Sequence, residues 1–202
     1  MQLLVEDVAL DRPVIIQWEH QMTDDEYFQF CQVNDNLRIE RTAQGDILIM
    51  PPAGGESGYR NSELTAELRD WARRDGRGRV FDSNTEYILP DGAAYSPDAS
   101  WVLCSRLNTL TKEQKRRFLP LCPDFVVELI SPSDRLPKAK AKMQEWIANG
   151  VQLGWLLDPD QCTTYIYRPD REPEQFVNPE RLIGEGPVAG FVLELADIWA
   201  GL

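Results

Sequence analysis

Two carboxylates in this sequence stand in or beside short apolar runs. Glu128 interrupts the run DFVVELI at residues 124–130, and Asp98 opens the run DASWV at residues 98–102. Apolar runs of this kind, bounded by turn residues, are typical of strands buried on both faces. An ionised carboxylate without a partner costs roughly several kcal/mol in such a strand, or it takes up a proton. We therefore expect a cation or a proton-sharing partner beside Glu128.

The positions of these two acids predict a divalent metal site. Two acids entering two strands offer the oxygen atoms that a hard cation prefers, and the backbone carbonyl of Leu129 would add a third. Water and a substrate phosphate would complete the coordination of Mg²⁺ or Mn²⁺. Water held by such an ion becomes a usable nucleophile, so the predicted chemistry is phosphoester hydrolysis.

Hydrolysis also benefits from a cation that steadies the attacking water and the charge of the transition state. Lys142 is the candidate, because Ala139 and Trp146 lie three residues before it and four residues after it in a predicted helix. This spacing places Lys142 at the edge of the core-facing stripe. Lys138, one turn earlier, is a second candidate but lies closer to the solvent side.

Each candidate also has a purely structural explanation. Asp98 follows a proline, as turn and strand-entry residues often do, and Glu128 could be a salt-bridged structural acid. Lys142 could be a helix lysine whose aliphatic stem lies along the core. For the other polar residues considered, we expect solvated, capping or surface roles: Glu40, Glu56, Glu86, Asp124, Ser131, Ser133 and His20.

Length and composition predict one globular domain over residues 1–202. The chain is 43% hydrophobic and 27% charged, values that allow a substantial core. Neither a membrane-spanning run nor a secretory leader is recognisable, so we expect a cytoplasmic protein without a membrane partner. The four cysteines are far apart and there is one histidine, which favours reduced thiols over a zinc site.

The net charge of −12 argues against a polyanionic partner, since nucleic-acid affinity comes mainly from Lys and Arg at phosphates. The distribution of charge weakens this objection. Residues 1–50 carry three basic and ten acidic side chains, and residues 158–202 carry three and nine. Residues 51–157, which contain both candidate acids and Lys142, carry fifteen basic and fourteen acidic side chains.

The candidate residues are distributed over a predicted α/β fold with a mixed sheet. Residues 1–22 are expected to form an arm or an edge strand, and Thr23 with Glu26 predicts a capped helix start. The other predicted elements are a hairpin over 38–50, a helix from Ser57 or Ser62 to about Gly76, strands over 79–83 and 85–89, the Asp98 strand, a short charged helix over 110–119, the Glu128 strand, a helix from Ser133 or Asp134 to Gly150, paired strands over 153–158 and 163–167, two further strands, and a turn around Ile198 and Trp199.

Four motifs in this order resemble the Uma-type family of predicted endonucleases, within the PD-(D/E)XK restriction-endonuclease-like superfamily. The resemblance extends from about Thr23 to Trp199. It implies a core of α-β-β-β-α-β order, action on DNA and often a homodimer. The motifs are SPD at 96–98, PDFVVELIS at 123–131, KMQEW at 142–146 with NGV at 149–151, and GWLLDP at 154–159.

The resemblance also assigns roles to individual residues. Asp98 would be the motif aspartate, Glu128 the motif acid, and Lys142 the motif lysine displaced onto the following helix. The displacement matters because Ile130 occupies the place where the superfamily's lysine usually stands. An acid or polar group on the first core helix would complete the site, and Glu63 is the candidate.

Two hypotheses from different classes follow. The first is a Mg²⁺-dependent nuclease acting on DNA, although RNA or a small phosphoester would require the same site chemistry. The second is a catalytically idle homodimeric module that retains the nuclease-like fold for binding or regulation. The acidic net charge and the apolar Ile130 motivate the second hypothesis.

Overall fold

The computed structural model describes residues 13–17, 21–132 and 134–202. His20, Ser133 and most of the arm predicted for residues 1–22 therefore lie outside the described residues. The helices are α1 Asp24–Val33, α2 Gly55–Asp75, α3 Cys104–Leu107, α4 Leu136–Ala148 and α5 Ala196–Ala200. The strands are β1 Val14–Ile16, β2 Arg38–Arg41, β3 Ile47–Met50, β4 Gly78–Asp82, β5 Tyr87–Ile88, β6 Ala94–Tyr95, β7 Ala99–Leu103, β8 Phe125–Leu129, β9 Leu153–Asp158, β10 Thr163–Tyr167, β11 Glu174–Val177, β12 Arg181–Ile183 and β13 Val192–Glu194.

A six-stranded sheet in the order β11-β10-β9-β8-β7-β4 forms the centre of the fold. Strands β8 and β9 are parallel, and the other neighbours are antiparallel. In chain order α2, β4, β7, β8, α4 and β9 give the expected α-β-β-β-α-β core. The predicted α/β class with a mixed sheet is confirmed.

Helix α4 is required by the parallel pairing of β8 with β9, because parallel neighbours need a crossover connection. Pro137 lies in its first turn, where the missing amide hydrogen bond costs little. The helix begins at Leu136, slightly later than predicted. Gly150 follows its end with a φ of 115°, a conformation that favours glycine.

Both faces of the large sheet are covered, which explains why its central strands are almost continuously apolar. Helix α2 covers one face, where Trp71 packs near Trp101 and Phe191. Helix α4 covers the other, where Trp146 packs against Tyr87 and Tyr95.

A second sheet of five short strands has the order β1-β3-β2-β6-β5. The predicted hairpin forms its β2 and β3, and β1 is an edge strand. Helix α1 packs on this sheet through Tyr27 and Phe30 and makes the predicted capping box between Thr23 and Glu26. Residues 96–98 connect β6 of this sheet to β7 of the large sheet, so the Asp98 motif lies where the chain passes between the sheets.

Some predicted elements differ from the structure. The charged helix over 110–119 is reduced to a 3-10 turn at Gln114–Arg116, because residues 111–116 are all exposed and provide no buried face. Helix α3 was not predicted, and the C-terminal region has three strands after β10 instead of two. No helix in the described part of the chain has the length and apolarity needed to cross a membrane.

Candidate active site

Asp98 and Glu128 lie beside each other because of the pairing between β7 and β8. Ala99 pairs with Val127, so the residue before β7 lies next to the end of β8. The Oδ2 atom of Asp98 accepts a hydrogen bond of 2.8 Å from the backbone amide of Leu129. Its Oδ1 atom accepts one of 2.9 Å from the Asn61 side chain on α2. Two donors therefore fix the Asp98 carboxylate against β8.

Burial governs the protonation of both carboxylates. Burial raises the pKa of Asp98 above its ordinary value, while the Leu129 amide and the charges of Arg38 and Lys142 oppose the shift. Burial raises the pKa of Glu128 to about 7, against the opposing charge of Lys142. The negative charge of Asp98 adds to the shift of Glu128. These acids therefore depend on nearby cations to remain ionised at neutral pH.

The carboxylate of Glu128 is oriented by two residues of α4. Its Oε1 atom accepts a hydrogen bond of 2.8 Å from the indole N–H of Trp146. The same atom lies 3.1 Å from the Nζ atom of Lys142. The partner expected for a buried acid is thus a cation from the following helix.

Lys142 lies at the centre of the group of acids. Its Nζ atom is 2.9 Å from Glu40 Oε1, in addition to the contact with Glu128, and 5.2 Å from the centre of the Tyr95 ring. Burial would lower the pKa of Lys142, but the charges of Glu128 and Glu40 outweigh burial and raise it. Lys142 is therefore a cation throughout the neutral range.

Glu40, on β2 of the small sheet, is the site residue that sequence reasoning missed. It is only 3% exposed, so the expectation of a solvated side chain is wrong. Besides contacting Lys142, its Oε1 atom accepts a hydrogen bond of 3.1 Å from the Ser96 amide. The sequence signal was weak, because Glu40 follows Ile39 inside a predicted strand that is too short to show which of its faces is buried.

Two other acids had the same solvated expectation. Glu86 is also buried and accepts a hydrogen bond of 2.6 Å from the Tyr27 hydroxyl, so the expectation is wrong there as well. The cause is packing against α1, which no local pattern around Glu86 indicates. Glu56 is exposed, as expected, and pairs with Arg60.

The weaker candidates lie apart from this group. Asn61, rather than Glu63, reaches Asp98 from α2, and two residues along a helix correspond to a rotation of about 200°. Glu63 is instead close enough to Tyr59 to raise the pKa of that phenol, together with burial. Lys138 is exposed and makes no ion pair among the described residues.

The donor set suits a metal that keeps part of its water shell. Among the described residues, no three His, Cys, Asp or Glu side chains are arranged to hold a metal by themselves. Asp98 and Glu128 nevertheless offer carboxylate oxygens on adjacent strands. The Leu129 carbonyl faces the same neighbouring strand as the Leu129 amide, which contacts Asp98. Two carboxylates and a carbonyl fit Mg²⁺, which usually retains several waters.

Comparisons with known proteins agree with this architecture. The profile of the Uma2 family, described as "Putative restriction endonuclease", matches residues 24–196. A crystal structure of "a putative nuclease belonging to DUF820" from Anabaena variabilis ATCC 29413 is similar, with a TM-score of 0.74 and 24% sequence identity. The similarity covers 89% of this chain and 98% of that chain, and it shows a shared fold. No significant match was found among curated proteins.

The family match spans most of the chain and includes all the elements that carry Asp98, Glu128, Lys142 and Glu40. The resemblance inferred from the ordered motifs is confirmed by this match and by the shared fold. The chain belongs to the Uma2 family.

Proposed function

We propose that this protein is a metal-dependent nuclease that hydrolyses DNA phosphodiester bonds. One observation carries the proposal. Two partly buried carboxylates, one before β7 and one in β8, converge with a lysine from the next helix. Lys142 Nζ lies 3.1 Å from Glu128 Oε1, and Asp98 is hydrogen-bonded to the adjacent amide of Leu129. Such a group costs stability, because each ion is partly or wholly removed from water. Its presence therefore favours a functional role for the charges.

Asp98, Glu128 and the Leu129 carbonyl would hold Mg²⁺ or Mn²⁺ through oxygen atoms. When bound, the ion supplies positive charge at the phosphate and lowers the pKa of a water. Asn61 and the Leu129 amide keep the Asp98 carboxylate in place, and Trp146 does the same for Glu128. The chain thus fixes both carboxylates before substrate arrives.

Lys142 serves as a cationic hydrogen-bond donor rather than as a general base. Its pKa is raised, so it keeps its proton and its charge at neutral pH. A protonated amine in this position donates hydrogen bonds to an attacking water or to a phosphate oxygen and stabilises the developing negative charge. Glu40 orients the amine from the side of the small sheet.

The first prediction concerns plasmid nicking in the presence of Mg²⁺. Asp98→Asn, Glu128→Gln and Lys142→Ala, made singly, should each reduce nicking by a factor of about 10² or more, since each removes a charge that acts in the transition state. Glu63→Gln and Lys138→Ala are matched controls that remove the same charges outside the group, and they should nick as the wild type does. Full cleavage by all three site variants would refute the assignment.

Calorimetric titration with Mg²⁺ or Mn²⁺ separates the nuclease from the catalytically idle binding module. The nuclease requires metal binding by the wild type and weaker binding by Glu128→Gln. An idle module would show no binding, or binding that Glu128→Gln leaves unchanged.

A further inference from the structure

Arg38 lies on β2, the strand that carries Glu40, and its guanidinium makes no ion pair with the described residues of the proposed catalytic group. It is two residues before Glu40 on β2, and alternate residues of a strand share a face. Its guanidinium charge acts on both Asp98 and Lys142. In the case of Asp98, burial raises the pKa, and the charge of Arg38 is among the influences that oppose this rise.

Among the described residues, none accepts a hydrogen bond from the guanidinium of Arg38. Its Nε atom is buried and has no hydrogen-bond partner in the described part of the chain. Nor does Arg38 make an ion pair within 4.0 Å among residues 13–17, 21–132 and 134–202. Buried polar groups in native proteins are nearly always paired, so an unpaired one indicates a missing partner.

Among the described arginines, Arg38 is the one with a buried and unpaired nitrogen atom. The buried Arg41 pairs with Asp24, and the buried Arg60 donates to the Ile198 carbonyl and pairs with Glu56. Those without an ion pair are exposed, where water serves as the partner: Arg69, Arg74, Arg79, Arg116, Arg135 and Arg171. Arg38 combines partial burial with the absence of a carboxylate partner.

We interpret the missing partner as an anion that enters the site. Lys142 is already engaged by Glu40 and Glu128, whereas the planar fork of Arg38 has free donors. A phosphate matches this fork through two parallel hydrogen bonds. We propose that Arg38 binds a phosphate of the substrate backbone beside the carboxylate pair. This inference rests on the proposed nuclease function and identifies a residue of that site that contacts the phosphodiester.

A purely structural role would produce a different result. If Arg38 only balanced the charge of Asp98, its removal would change metal affinity and stability. It would not change the number of cations displaced from DNA on binding. That number is measured by the slope of log K against log salt concentration, and each phosphate contact contributes about 0.9 to it.

The test is fluorescence anisotropy with a short fluorescein-labelled DNA duplex, titrated at several KCl concentrations, in EDTA and again in Ca²⁺. Arg38→Ala should weaken binding severalfold and reduce the salt slope by about 1. Arg38→Lys should retain the slope, because it keeps the charge, but should bind more weakly than wild type. Arg79→Ala, which removes an exposed arginine at the far end of β4, should leave the slope unchanged.

An unchanged slope in Arg38→Ala, or wild-type protein that does not bind the duplex under either condition, would overturn the inference. Thermal melting of each variant identifies misfolding, and Arg38→Lys keeps the test valid if Arg38→Ala does not fold.

Nicking assays separate the two proposals. If Asp98→Asn loses nicking and Arg38→Ala has an unchanged salt slope, only the proposed role of Arg38 is refuted. If Arg38→Ala has a reduced salt slope but the wild type does not nick DNA, only the nuclease proposal is refuted.

Discussion

The charges of the described residues around Lys142 do not balance. Glu40, Asp98 and Glu128 supply three carboxylates, and Lys142 and Arg38 supply two cations. With every acid ionised the group carries one net negative charge in a largely buried place. Adding a divalent cation makes the group net positive by one charge, which suits a phosphodiester monoanion. The charge count therefore agrees with the order metal first and substrate second.

Glu86 offers a residue-scale prediction outside the proposed catalytic group, although the charges of Glu40 and Lys142 also act on its pKa. Burial raises its pKa from 4.5 to about 8, although the Tyr27 hydrogen bond opposes the shift. The native state therefore binds this proton more tightly than the unfolded chain. The resulting stability is fully present below pH 4.5 and is lost as the pH rises through about 8.

Glu86→Gln keeps an acceptor for Tyr27 but cannot ionise. Compared with the variant, the wild type should lose on the order of a few kcal/mol of unfolding free energy between weakly acidic and weakly alkaline pH. Urea denaturation at both pH values measures this difference. Glu67→Gln, which alters an exposed carboxylate on α2, should show no such change. Parallel pH profiles for wild type and Glu86→Gln would contradict the prediction.

At the residue scale, sequence reasoning identified the part of the group that lies in long apolar patterns. Glu128 is conspicuous because five apolar neighbours surround it, and Lys142 is placed by helical spacing. Glu40 escaped because its strand has four residues, too few for a period to show which face is buried. Sequence reasoning missed Asn61 and Arg38 because the hydrogen bond of Asn61 to Asp98 and the effect of the Arg38 charge on Asp98 both join elements that are distant in sequence.

At the element scale, neighbouring side chains approach two strand glycines so closely that there is little room for a Cβ atom. A Cβ atom on Gly78 of β4 would lie 2.2 Å from the ring of Trp101, a rigid side chain on the strand that Asp98 opens. A Cβ atom on Gly154 of β9 would meet only the flexible end of Met143, at 2.5 Å. Both glycines lie in strands of the large sheet, but the side chain next to Gly78 is rigid and the one next to Gly154 is flexible.

Gly78→Ala should reduce the unfolding free energy by about 1–3 kcal/mol, because the indole cannot move without displacing the core. Gly154→Ala should cost less, since methionine adapts its shape readily. Urea titrations of both variants give the comparison. A larger loss for Gly154→Ala than for Gly78→Ala would show that Trp101 yields more easily than its burial indicates.

The elements that were predicted correctly have an internal apolar face or a recognisable end. Helix α2 shows Leu64, Leu68 and Trp71 on one side, and α1 carries a complete capping box. The helix expected over 110–119 had a cap at Thr111 but lacked an apolar face. A cap without a buried stripe supports only one turn, because packing supplies most of the stability of a short helix.

At the scale of the whole molecule, the sequence indicated the core order but not the second sheet as a unit. Its strands have two to four residues, and some pair across long stretches of sequence, as Val14 of β1 does with Ile49 and Arg41 of β2 does with Ala94. Local patterns carry little information about such pairings. The homodimer and the single domain over residues 1–202 stay predictions.

The contact between Glu40 and Lys142 joins the two sheets and so connects catalytic competence to folding order. Helix α1 and strands β1, β2 and β3 form a unit with its own apolar cluster around Tyr27, Ile39 and Ile47, whereas Tyr87 of β5 and Tyr95 of β6 pack in the cluster under α4. Such a unit can open locally while the rest stays folded. Opening would carry Glu40 away from Lys142, and the proposed nuclease activity would be lost while the large core persisted.

On heating, nicking activity should therefore disappear several degrees below the tryptophan fluorescence transition, which reports on Trp101 and Trp155 of the large sheet and on Trp146 of α4. Backbone amides of β2 and β3 should exchange with deuterium faster than those of β8 and β9. Glu40→Gln should widen the temperature gap, whereas Glu67→Gln should not. Coincident loss of activity and fluorescence would show that both sheets unfold as one cooperative unit. If the gap is present, thermal inactivation of this protein begins in the sheet that contributes one carboxylate to the site.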